Sequence, residues 1–477
     1  MNYSNLNHLS KRERLRSFAN ATTVAIKQEI NKYYQPQMFP SRSVDGVQRT
    51  DTQEIDHILN NTSDDVIQTQ CILFPTYACQ NNDKWKVQLA GWTFAKPTSG
   101  RLDRFLLAAG RTYGGFAKDS QEDHHFSSLL NQFRCQTLRM IDVTLHLPLI
   151  KEKLQDIFIN SGETGRFEKE VFLERSWIEI IKNKCLEVEA RFKNNESHFT
   201  GFIDFIEPIG ISVISDIDDT IKITDVLDGK DAIIQNTFFR TAKDVPGMNE
   251  VYRDWASKGA HIHYVSNSPW QVYTAINEFV SAKKFPQGSM HLRSVSTQEL
   301  IMGRPGKHKL DVIPKILKDF PNRKFILVGD SGEIDPEIYQ QIYHDFPDQV
   351  IKIFIHDVSS QRAIDADRLM SSTSQSESSY YNAVRKFISR ESALLRRKDS
   401  STQLAMDAMA ITEVPQEQQQ MTDPQVPLLT KLEQFEQRMG NISDTMPKGV
   451  FTVFSLASKL KLDDVVSKEF ATYQEKK

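Results

Sequence analysis

Four short apolar runs, separated by amphipathic segments, dominate the sequence from Ile209 onward. Apolar runs of strand length that alternate with segments of helix length are typical of an α/β domain with a mostly parallel sheet. The predicted strands are 210–216, 260–265, 324–329 and 350–355, and the predicted helices are 247–258, 270–282, 309–320 and 335–346. Each predicted strand ends in a polar loop. Because ligands bind at the carboxyl ends of the strands in such sheets, we expect the functional site in these loops.

The first predicted strand runs into an acidic loop, Asp216-Ile217-Asp218-Asp219-Thr220. Strand alternation places Asp216 and Asp218 on one side, so that two carboxylates converge on one point. Like charges this close need a cation or a proton between them, and hard oxygen ligands select Mg²⁺. The loop therefore predicts a magnesium site, whereas an acidic loop without chemistry is the alternative for this segment taken alone.

The loop after the second strand offers phosphate ligands. Ser266 and Asn267 precede a predicted helix, and a hydroxyl with backbone amides at a helix start suits phosphate oxygens. A plain helix cap is the alternative. Near the start of a later helix, a lysine would neutralise phosphoryl charge, and Lys309 is favoured over Lys307 for that role.

The last loop adds two more carboxylates, in Gly329-Asp330-Ser331-Gly332-Glu333-Ile334-Asp335. Asp330 would complete the magnesium site. Asp335 would orient a metal-bound water or, alternatively, cap the helix that follows.

The rest of the chain has a different character. Residues 1–66 predict an N-terminal helix and a polar linker, and residues 67–208 predict a β-rich domain with a helix near 126–140. The α/β domain spans 209–358. Residues 359–426 are rich in Ser and Gln and predict a low-complexity, partly disordered linker, and 427–477 predict a helical segment with an apolar stripe.

Bulk properties exclude several classes of function. The net charge of −3 gives no basic field for nucleic acid, and no apolar run is long enough to span a bilayer. The four cysteines are sparse and irregularly spaced, which argues against a zinc site and favours reduced thiols in a cytosolic protein. A stretch at 283–324 is locally basic and could face an anionic surface, or be a solvated face. Within it, Arg293 is a candidate for contacting an anionic group, or a structural ion-pair partner.

The loop at Asp216 resembles the D-x-D-x-T pattern of haloacid-dehalogenase phosphatases. The surrounding sequence is similar to the fungal actin-patch phosphatidate phosphatase family over about 210–358. The strings that carry this resemblance are Ser215-Asp216-Ile217-Asp218-Asp219-Thr220-Ile221-Lys222, Asn236-Thr237-Phe238-Phe239, Asp244-Val245-Pro246-Gly247-Met248, His263-Tyr264-Val265-Ser266-Asn267-Ser268-Pro269-Trp270-Gln271, Phe285-Pro286-Gln287-Gly288-Ser289-Met290-His291-Leu292-Arg293, and Gly329-Asp330-Ser331-Gly332-Glu333-Ile334-Asp335-Pro336-Glu337-Ile338-Tyr339.

The resemblance implies a haloacid-dehalogenase-like Rossmannoid fold, and the roughly 40 residues between Thr220 and Ala260 leave no room for a cap domain. It implies Mg²⁺-dependent hydrolysis of phosphatidate to diacylglycerol and phosphate, with Asp216 as nucleophile and Asp218 as acid and then base. The implied site residues are Thr220, Ser266, Asn267 and Lys309 for phosphate, Asp216, Asp218 and Asp330 for the metal, and Asp335 and Arg293 in support.

The resemblance also implies a cytoplasmic protein in peripheral contact with membranes at cortical actin patches during endocytosis. Family members engage SH3 domains through proline-rich tails. Here the tail offers only Pro424-Gln425-Val426-Pro427, with Lys431 downstream, so SH3-containing partners are a weaker expectation.

Overall fold

The structure is a computed structural model. It describes residues 68–96, 107–108, 111, 115–133, 136–149, 153–178, 185–193, 195–228, 236, 240–293, 306–373 and 429–475. The predicted N-terminal helix and polar linker at 1–66 lie outside these residues.

The first part of the described chain forms a nine-stranded sheet. Its strands are β1 (Gln68–Leu73), β2 (Thr76–Asn81), β3 (Lys84–Lys96), β4 (Gln136–Thr137), β5 (Asp142–Leu149), β6 (Lys153–Asn160), β7 (Arg166–Glu174), β8 (Cys185–Phe192) and β9 (Asn195–Ile206). Their order is β1-β3-β2-β9-β8-β5-β6, with β4 and β7 also pairing with β3. β2 runs parallel to β9, and the other described pairs are antiparallel.

Alternation of apolar and polar residues explains this sheet. In β8, Leu186, Val188 and Ala190 are buried, and the glutamates between them point outward. Among the described residues, the helices α1 (Gln121–Phe133) and α2 (Arg175–Ile178) lie between the strands. The sequence predicted a β-rich segment here but placed no strands at β5 and β6, and it placed the helix α1 several residues too late.

A six-stranded parallel sheet follows. Its strands are β10 (Ile211–Ser215), β13 (His261–Pro269), β14 (Gly288–Arg293), β15 (Lys324–Asp330), β16 (Val350–His356) and β17 (Phe451–Phe454), in the order β14-β13-β10-β15-β16-β17. Every pair in this sheet is parallel. All five residues of β10 are buried, which accounts for its continuous apolar sequence. A small antiparallel pair, β11 (Lys222–Ile223) and β12 (Lys243–Asp244), follows the acidic loop.

Helices cover both faces of the parallel sheet. They are α3 (Met248–Ser257), α4 (Tyr273–Ala282), α5 (Lys307–Asp319), α6 (Asp335–Asp345), α7 (Ser360–Thr373), α8 (Lys431–Ser443), α9 (Ser458–Lys461) and α10 (Asp464–Glu475). Apolar residues of α3, α4 and α10 share one core cluster, and those of α5, α6 and α8 share another. Burying both faces in this way produces a three-layer arrangement. The α/β class and the parallel sheet agree with the prediction from the sequence.

Three elements of this domain depart from the prediction. β14 and β17 were not anticipated, since β17 has only four residues and lies far along the chain. The helix α7 occupies the first residues of the stretch predicted as a linker.

Among the described residues, none of the helices is both long enough and apolar enough to cross a membrane.

Arg323 ties the two sheets together. Its buried guanidinium donates to the carbonyl oxygens of Glu207 (2.7 Å), Ile209 (3.0 Å) and Ile211 (2.5 Å), and to the hydroxyl of Ser212 (3.0 Å). Burial lowers the pKa of Arg323 to about 10. Four hydrogen bonds from one guanidinium therefore satisfy oxygen atoms of the turn that connects β9 to β10 and of the start of β10.

A second contact joins β2 and β3 to the end of α5. The carboxylate of Asp319 accepts hydrogen bonds from Tyr77 (2.8 Å) and Gln88 (3.0 Å), and it forms an ion pair with Lys86. The β-rich sheet and the parallel sheet therefore share a polar, largely buried contact.

Candidate functional site

The acidic loop leaves β10 in a tightly hydrogen-bonded turn. The backbone N–H groups of Ile221 and Lys222 both donate to the carbonyl oxygen of Ile217, at 3.0 Å each. Asp219 adopts a left-handed conformation (φ 54°), which an aspartate tolerates better than most residues. The carboxylate of Asp219 accepts three backbone N–H bonds, from residues 224–226 at 2.7–2.8 Å. Asp219 therefore shapes the loop, and sequence reasoning gave it no role.

The centre of the site is the pair formed by Asp216 and Lys309. Asp216 sits one residue beyond β10, and Oδ1 of its carboxylate lies 2.9 Å from Nζ of Lys309. Nζ also contacts the carboxylate of Asp335, and it lies 3.7 Å from Glu333. Lys309 has no exposed surface, whereas Lys307 is exposed and pairs with Asp311 on its own helix. The structure therefore places Lys309, not Lys307, beside the acidic loop.

Three carboxylates converge at this point. One oxygen from each of Asp216, Asp330 and Asp335 lies within 4.8 Å of the others, and all three side chains are buried. Oδ1 of Asp330 accepts the backbone N–H groups of Gly332 (2.7 Å) and Glu333 (3.0 Å). Oδ2 of Asp330 and Oδ2 of Asp335 have no hydrogen-bond partner among the described residues. These buried oxygens are suitable ligands for a divalent cation.

Asp335 does not cap the helix α6. The cap position of α6 is Ile334, which makes no side-chain cap bond, and Asp335 is the first helical residue. Its carboxylate turns back to Lys309 instead.

Asp218 points to a different set of partners. Its carboxylate accepts hydrogen bonds from the hydroxyls of Ser268 (2.7 Å) and Thr224 (2.7 Å), and it lies 3.6 Å from Nζ of Lys222. The hydroxyl of Ser266 is 3.5 Å away. The side chain of Asp218 is thus separate from the group formed by the other three carboxylates.

The remaining predicted residues surround these two aspartates. The hydroxyl of Thr220 donates to Asp216 Oδ2 at 3.3 Å, and the amide of Asn267 donates to Glu333 at 2.9 Å. Ser266 Oγ accepts the backbone N–H of Ser268 at 2.9 Å. Arg293 is the last residue of β14, in register with Pro269, so it lies at the same edge of the sheet.

Charge is unbalanced around Lys309. Burial raises the pKa of Asp216 well above its usual value, although Lys309 opposes the shift. Burial together with the carboxylates of Glu333 and Asp335 raises the pKa of Asp330, and burial raises that of Glu333 to about 7. One ammonium cannot offset this much negative charge. A cation would restore the ionised state of all these groups.

The environment of Asp218 has the opposite effect. Burial disfavours its charge, but Lys222 and the hydrogen bonds from Ser268 and Thr224 outweigh burial, so the pKa of Asp218 is lower than usual. The different surroundings of the two carboxylates thus raise the pKa of Asp216 and lower that of Asp218.

Besides Asp219, four residues of the site had no role predicted from the sequence: Lys222, Thr224, Ser268 and Glu333. Lys222, Ser268 and Glu333 lie within a few residues of Asp218, Ser266 and Asp330, respectively, so their position in the sequence was an available signal. Thr224 offered none, because it reaches Asp218 only through the turn that Asp219 holds.

Part of the chain is similar in sequence to known proteins. Residues 211–357 match the family model described as the catalytic domain of phosphatidate phosphatase APP1. Phosphatidate phosphatase APP1 of Saccharomyces cerevisiae is 39% identical over 159 residues, which is 32% of this chain and 27% of that protein. An uncharacterised protein of Schizosaccharomyces pombe is 30% identical over 190 residues, covering 38% of this chain and 31% of that protein. The chain thus covers less than a third of the length of either relative.

Among solved structures, a sialyltransferase from Photobacterium damsela aligns with a TM-score of 0.19 at 7% identity, over 52% of this chain and 43% of that chain. A likeness this weak carries no argument about fold or function.

Proposed function

We propose that the chain hydrolyses phosphatidate to diacylglycerol and inorganic phosphate, because residues 211–357 match the catalytic domain of phosphatidate phosphatase APP1. The observation that carries the proposal is the buried contact between Asp216 and Lys309, beside Asp330, within that domain. It combines a nucleophile, a fixed positive charge and cation ligands at the carboxyl ends of parallel strands.

The fold we propose is a capless haloacid-dehalogenase-like Rossmannoid domain over 209–358, with a β-rich domain over 67–208 and a C-terminal segment over 427–477. The order β14-β13-β10-β15-β16, with β10 in the middle, supports it. Between the acidic loop and β13, the described residues form the pair β11–β12, a short turn and α3. The stretch between Thr220 and Ala260 is too short for a separate cap domain, so we propose a site that is open to a substrate held in a membrane surface.

In the proposed mechanism, a carboxylate oxygen of Asp216 attacks phosphorus, and the bond from phosphorus to the glycerol oxygen breaks. Lys309 stabilises the charge that develops on the phosphoryl oxygens, and Thr220, Ser266 and Asn267 hold those oxygens. Asp218 gives its proton to the departing glycerol oxygen. Although the pKa of Asp218 is low in the free protein, an arriving phosphate dianion raises it by like-charge repulsion.

The second half regenerates the enzyme. Asp218, now ionised, takes a proton from a water molecule that attacks phosphorus of the aspartyl-phosphate. The bond from phosphorus to Asp216 breaks, and phosphate leaves. Ser268 and Thr224 keep the carboxylate of Asp218 oriented through both halves.

We propose Mg²⁺ as the cofactor. Asp330 would hold it with its unpartnered oxygen, Oδ2, and Asp216, one oxygen of which lies within 4.8 Å of Asp330, would be the second ligand. Asp335 supports the site through Lys309. The buried, unpartnered oxygens and the surplus negative charge fit this role. Although Asp218 was predicted as a further ligand, its side chain engages Ser268 and Thr224, so we assign it only to proton transfer. When bound, the ion supplies positive charge that offsets the carboxylates and the phosphoryl group.

We further propose, on the family resemblance, that the protein acts in the cytoplasm, in peripheral contact with membranes at cortical actin patches. Recruitment by SH3-containing partners is part of this proposal, although the candidate prolines Pro424 and Pro427 lie outside the described residues. Arg293, at the same edge of the sheet as the site, is the proposed headgroup contact.

The test is release of inorganic phosphate from phosphatidate in mixed micelles with MgCl₂. Asp216→Asn and Asp218→Asn should each lose activity by about 10³-fold or more while their thermal unfolding stays cooperative. Asp365→Asn, which changes an exposed carboxylate of α7, is the matched control and should keep full activity. Phosphate release from sugar phosphates or phosphopeptides, but none from phosphatidate, would overturn the lipid assignment and leave a phosphatase of another monoester.

A further inference from the structure

A turn after β17 presents apolar and basic side chains to solvent. Leu456 is 64% exposed and Leu462 is 78% exposed, whereas Ala457 and Leu460 between them are buried. The lysines of this segment are also exposed. The turn therefore has one face in the protein core and an outer face that combines leucine with lysine. We call this outer face the apolar–basic turn: Leu456, Lys459, Lys461 and Leu462.

The apolar–basic turn lies at the same edge of the sheet as the site. Asp330 pairs in register with His356, and His356 pairs in register with Phe454, two residues before Leu456. All these strands are parallel, so their carboxyl ends face one way. With strands about 4.8 Å apart, β17 lies about 15 Å from β10, which leads into Asp216.

The segment that closes the acidic loop also supports this turn. A side chain added at Gly247 would meet Cβ of Ala457 at 3.2 Å, so the two backbones approach closely. Two residues before Gly247, the N–H of Val245 donates to the carbonyl oxygen of Ile221 at 2.9 Å. The turn is thus held in a fixed position relative to the acidic loop.

The charge of this face is positive. Neither Lys459 nor Lys461 has an ion-pair partner among the residues that the structure describes. The nearby carboxylate of Asp463 is occupied by Lys352 at 2.5 Å, which leaves Asp464 as the acid next to the turn. Exposed lysines beside exposed leucines are the composition of surfaces that enter the headgroup layer of anionic membranes.

We propose that the apolar–basic turn docks the protein on an anionic membrane, with Leu456 and Leu462 entering the headgroup layer and the lysines contacting lipid phosphates. Docking at this edge turns the opening of the site toward the lipid surface, so that a phosphomonoester headgroup reaches Asp216 without leaving the membrane. The functional role of this docking rests on the proposed lipid phosphatase activity, but membrane binding can be measured separately from that activity.

The experiment is cosedimentation of the full chain with vesicles of phosphatidylcholine alone or mixed with phosphatidylglycerol, an anionic lipid that is not the proposed substrate. We expect wild type to bind the anionic vesicles. The double variant Leu456→Asp with Leu462→Asp should bind at least about tenfold more weakly. The matched control is Phe158→Asp, since Phe158 is 72% exposed on β6 of the other sheet; this variant should bind like wild type.

A second double variant tests the same surface without changing its leucines, in case the first variant does not fold. Lys459→Gln with Lys461→Gln leaves the buried face intact, and it should weaken binding to anionic vesicles and flatten its dependence on salt. The proposed docking surface is wrong if both double variants bind anionic vesicles as strongly as wild type does. It is also wrong if Phe158→Asp loses as much binding as they do.

Enzymatic assays separate this inference from the proposed function. Both double variants should hydrolyse a soluble short-chain phosphatidate at the wild-type rate and lose activity on vesicles. If wild type hydrolyses neither form of phosphatidate but binding still depends on the turn, the proposed activity fails and the docking surface stands.

Discussion

Replacing Asp330 with asparagine tests whether a carboxylate that the proposed metal site needs also destabilises the folded protein. The substitution keeps an oxygen that can accept the backbone N–H groups of Gly332 and Glu333, and it removes a charge whose other oxygen has no described partner. We expect Asp330→Asn to be more stable than wild type when divalent cations are removed by chelation, and inactive when Mg²⁺ is present.

The magnitude follows from the spacing of the carboxylates. Two unit charges 4.8 Å apart repel by about 3.5 kcal/mol at an effective dielectric constant near 20. Asp330 faces both Asp216 and Asp335, while Lys309 and partial protonation offset part of the repulsion. A gain of about 2 kcal/mol, or several degrees in Tm, is therefore expected for Asp330→Asn without metal.

The gain in stability of Asp330→Asn over wild type should increase as pH rises. Burial and neighbouring carboxylates raise the pKa of Asp330 in the folded state. A carboxyl of this kind contributes stability that is present below its unfolded pKa of about 4 and is lost as pH rises toward its folded pKa. The advantage of Asp330→Asn should be small near pH 4 and largest near pH 8.

Equilibrium unfolding in chelator, and again with saturating MgCl₂, is the assay. Mg²⁺ should stabilise wild type by about 2 to 3 kcal/mol when its concentration is about 100 times Kd, and should leave Asp330→Asn unchanged. Asp330→Ala, which cannot accept the two backbone bonds, should be about 1 to 3 kcal/mol less stable than Asp330→Asn. A less stable Asp330→Asn in chelator, or equal stabilisation of both proteins by Mg²⁺, would refute the reasoning.

Three further substitutions test other parts of the structure. Lys309→Met should abolish phosphate release and lower the unfolding free energy by about 3 kcal/mol or more because it leaves buried carboxylates unpaired, whereas Lys307→Met should match wild type in both assays. Arg323→Lys should destabilise the protein by about 2 to 4 kcal/mol, since an ammonium cannot reach all the carbonyl oxygens that the guanidinium joins; chemical denaturation measures this loss. Arg438→Ala removes the bonds from α8 to the carbonyl oxygens of residues 331 and 333, and should lower kcat with little change in Tm, as enzyme kinetics beside thermal melts would show.

Much of the parallel sheet could be predicted from the sequence because its strands are buried on both faces. β10, β15 and β16 are continuous apolar runs followed by polar loops, and each observed bound lies within one residue of the predicted one. β17 could not be found in this way. Four residues give no periodicity, and only its pairing with β16 identifies it as a strand.

Some parts of the candidate site could also be predicted from the sequence, and others could not. Asp216, Lys309 and Asp330 follow from loops at strand ends or helix starts, because parallel topology brings such positions together. The direction of a side chain within a loop does not follow from its position in the sequence. Asp218 and Asp335 turn to partners that depend on the local turn, and Asp218 reaches Thr224 only because three backbone N–H groups fix Asp219.

The position of β17 has a consequence for synthesis of the protein. About 95 residues separate the end of β16 at His356 from the start of β17 at Phe451. At translation rates of about 5 to 20 residues per second, β16 remains the outermost strand of the nascent sheet for roughly 5 to 20 s. Its unpaired backbone and apolar side chains are then an aggregation hazard. A ribosome stalled in this interval would carry a sheet that lacks its last strand, and such a nascent chain should depend on chaperones more than the finished protein does.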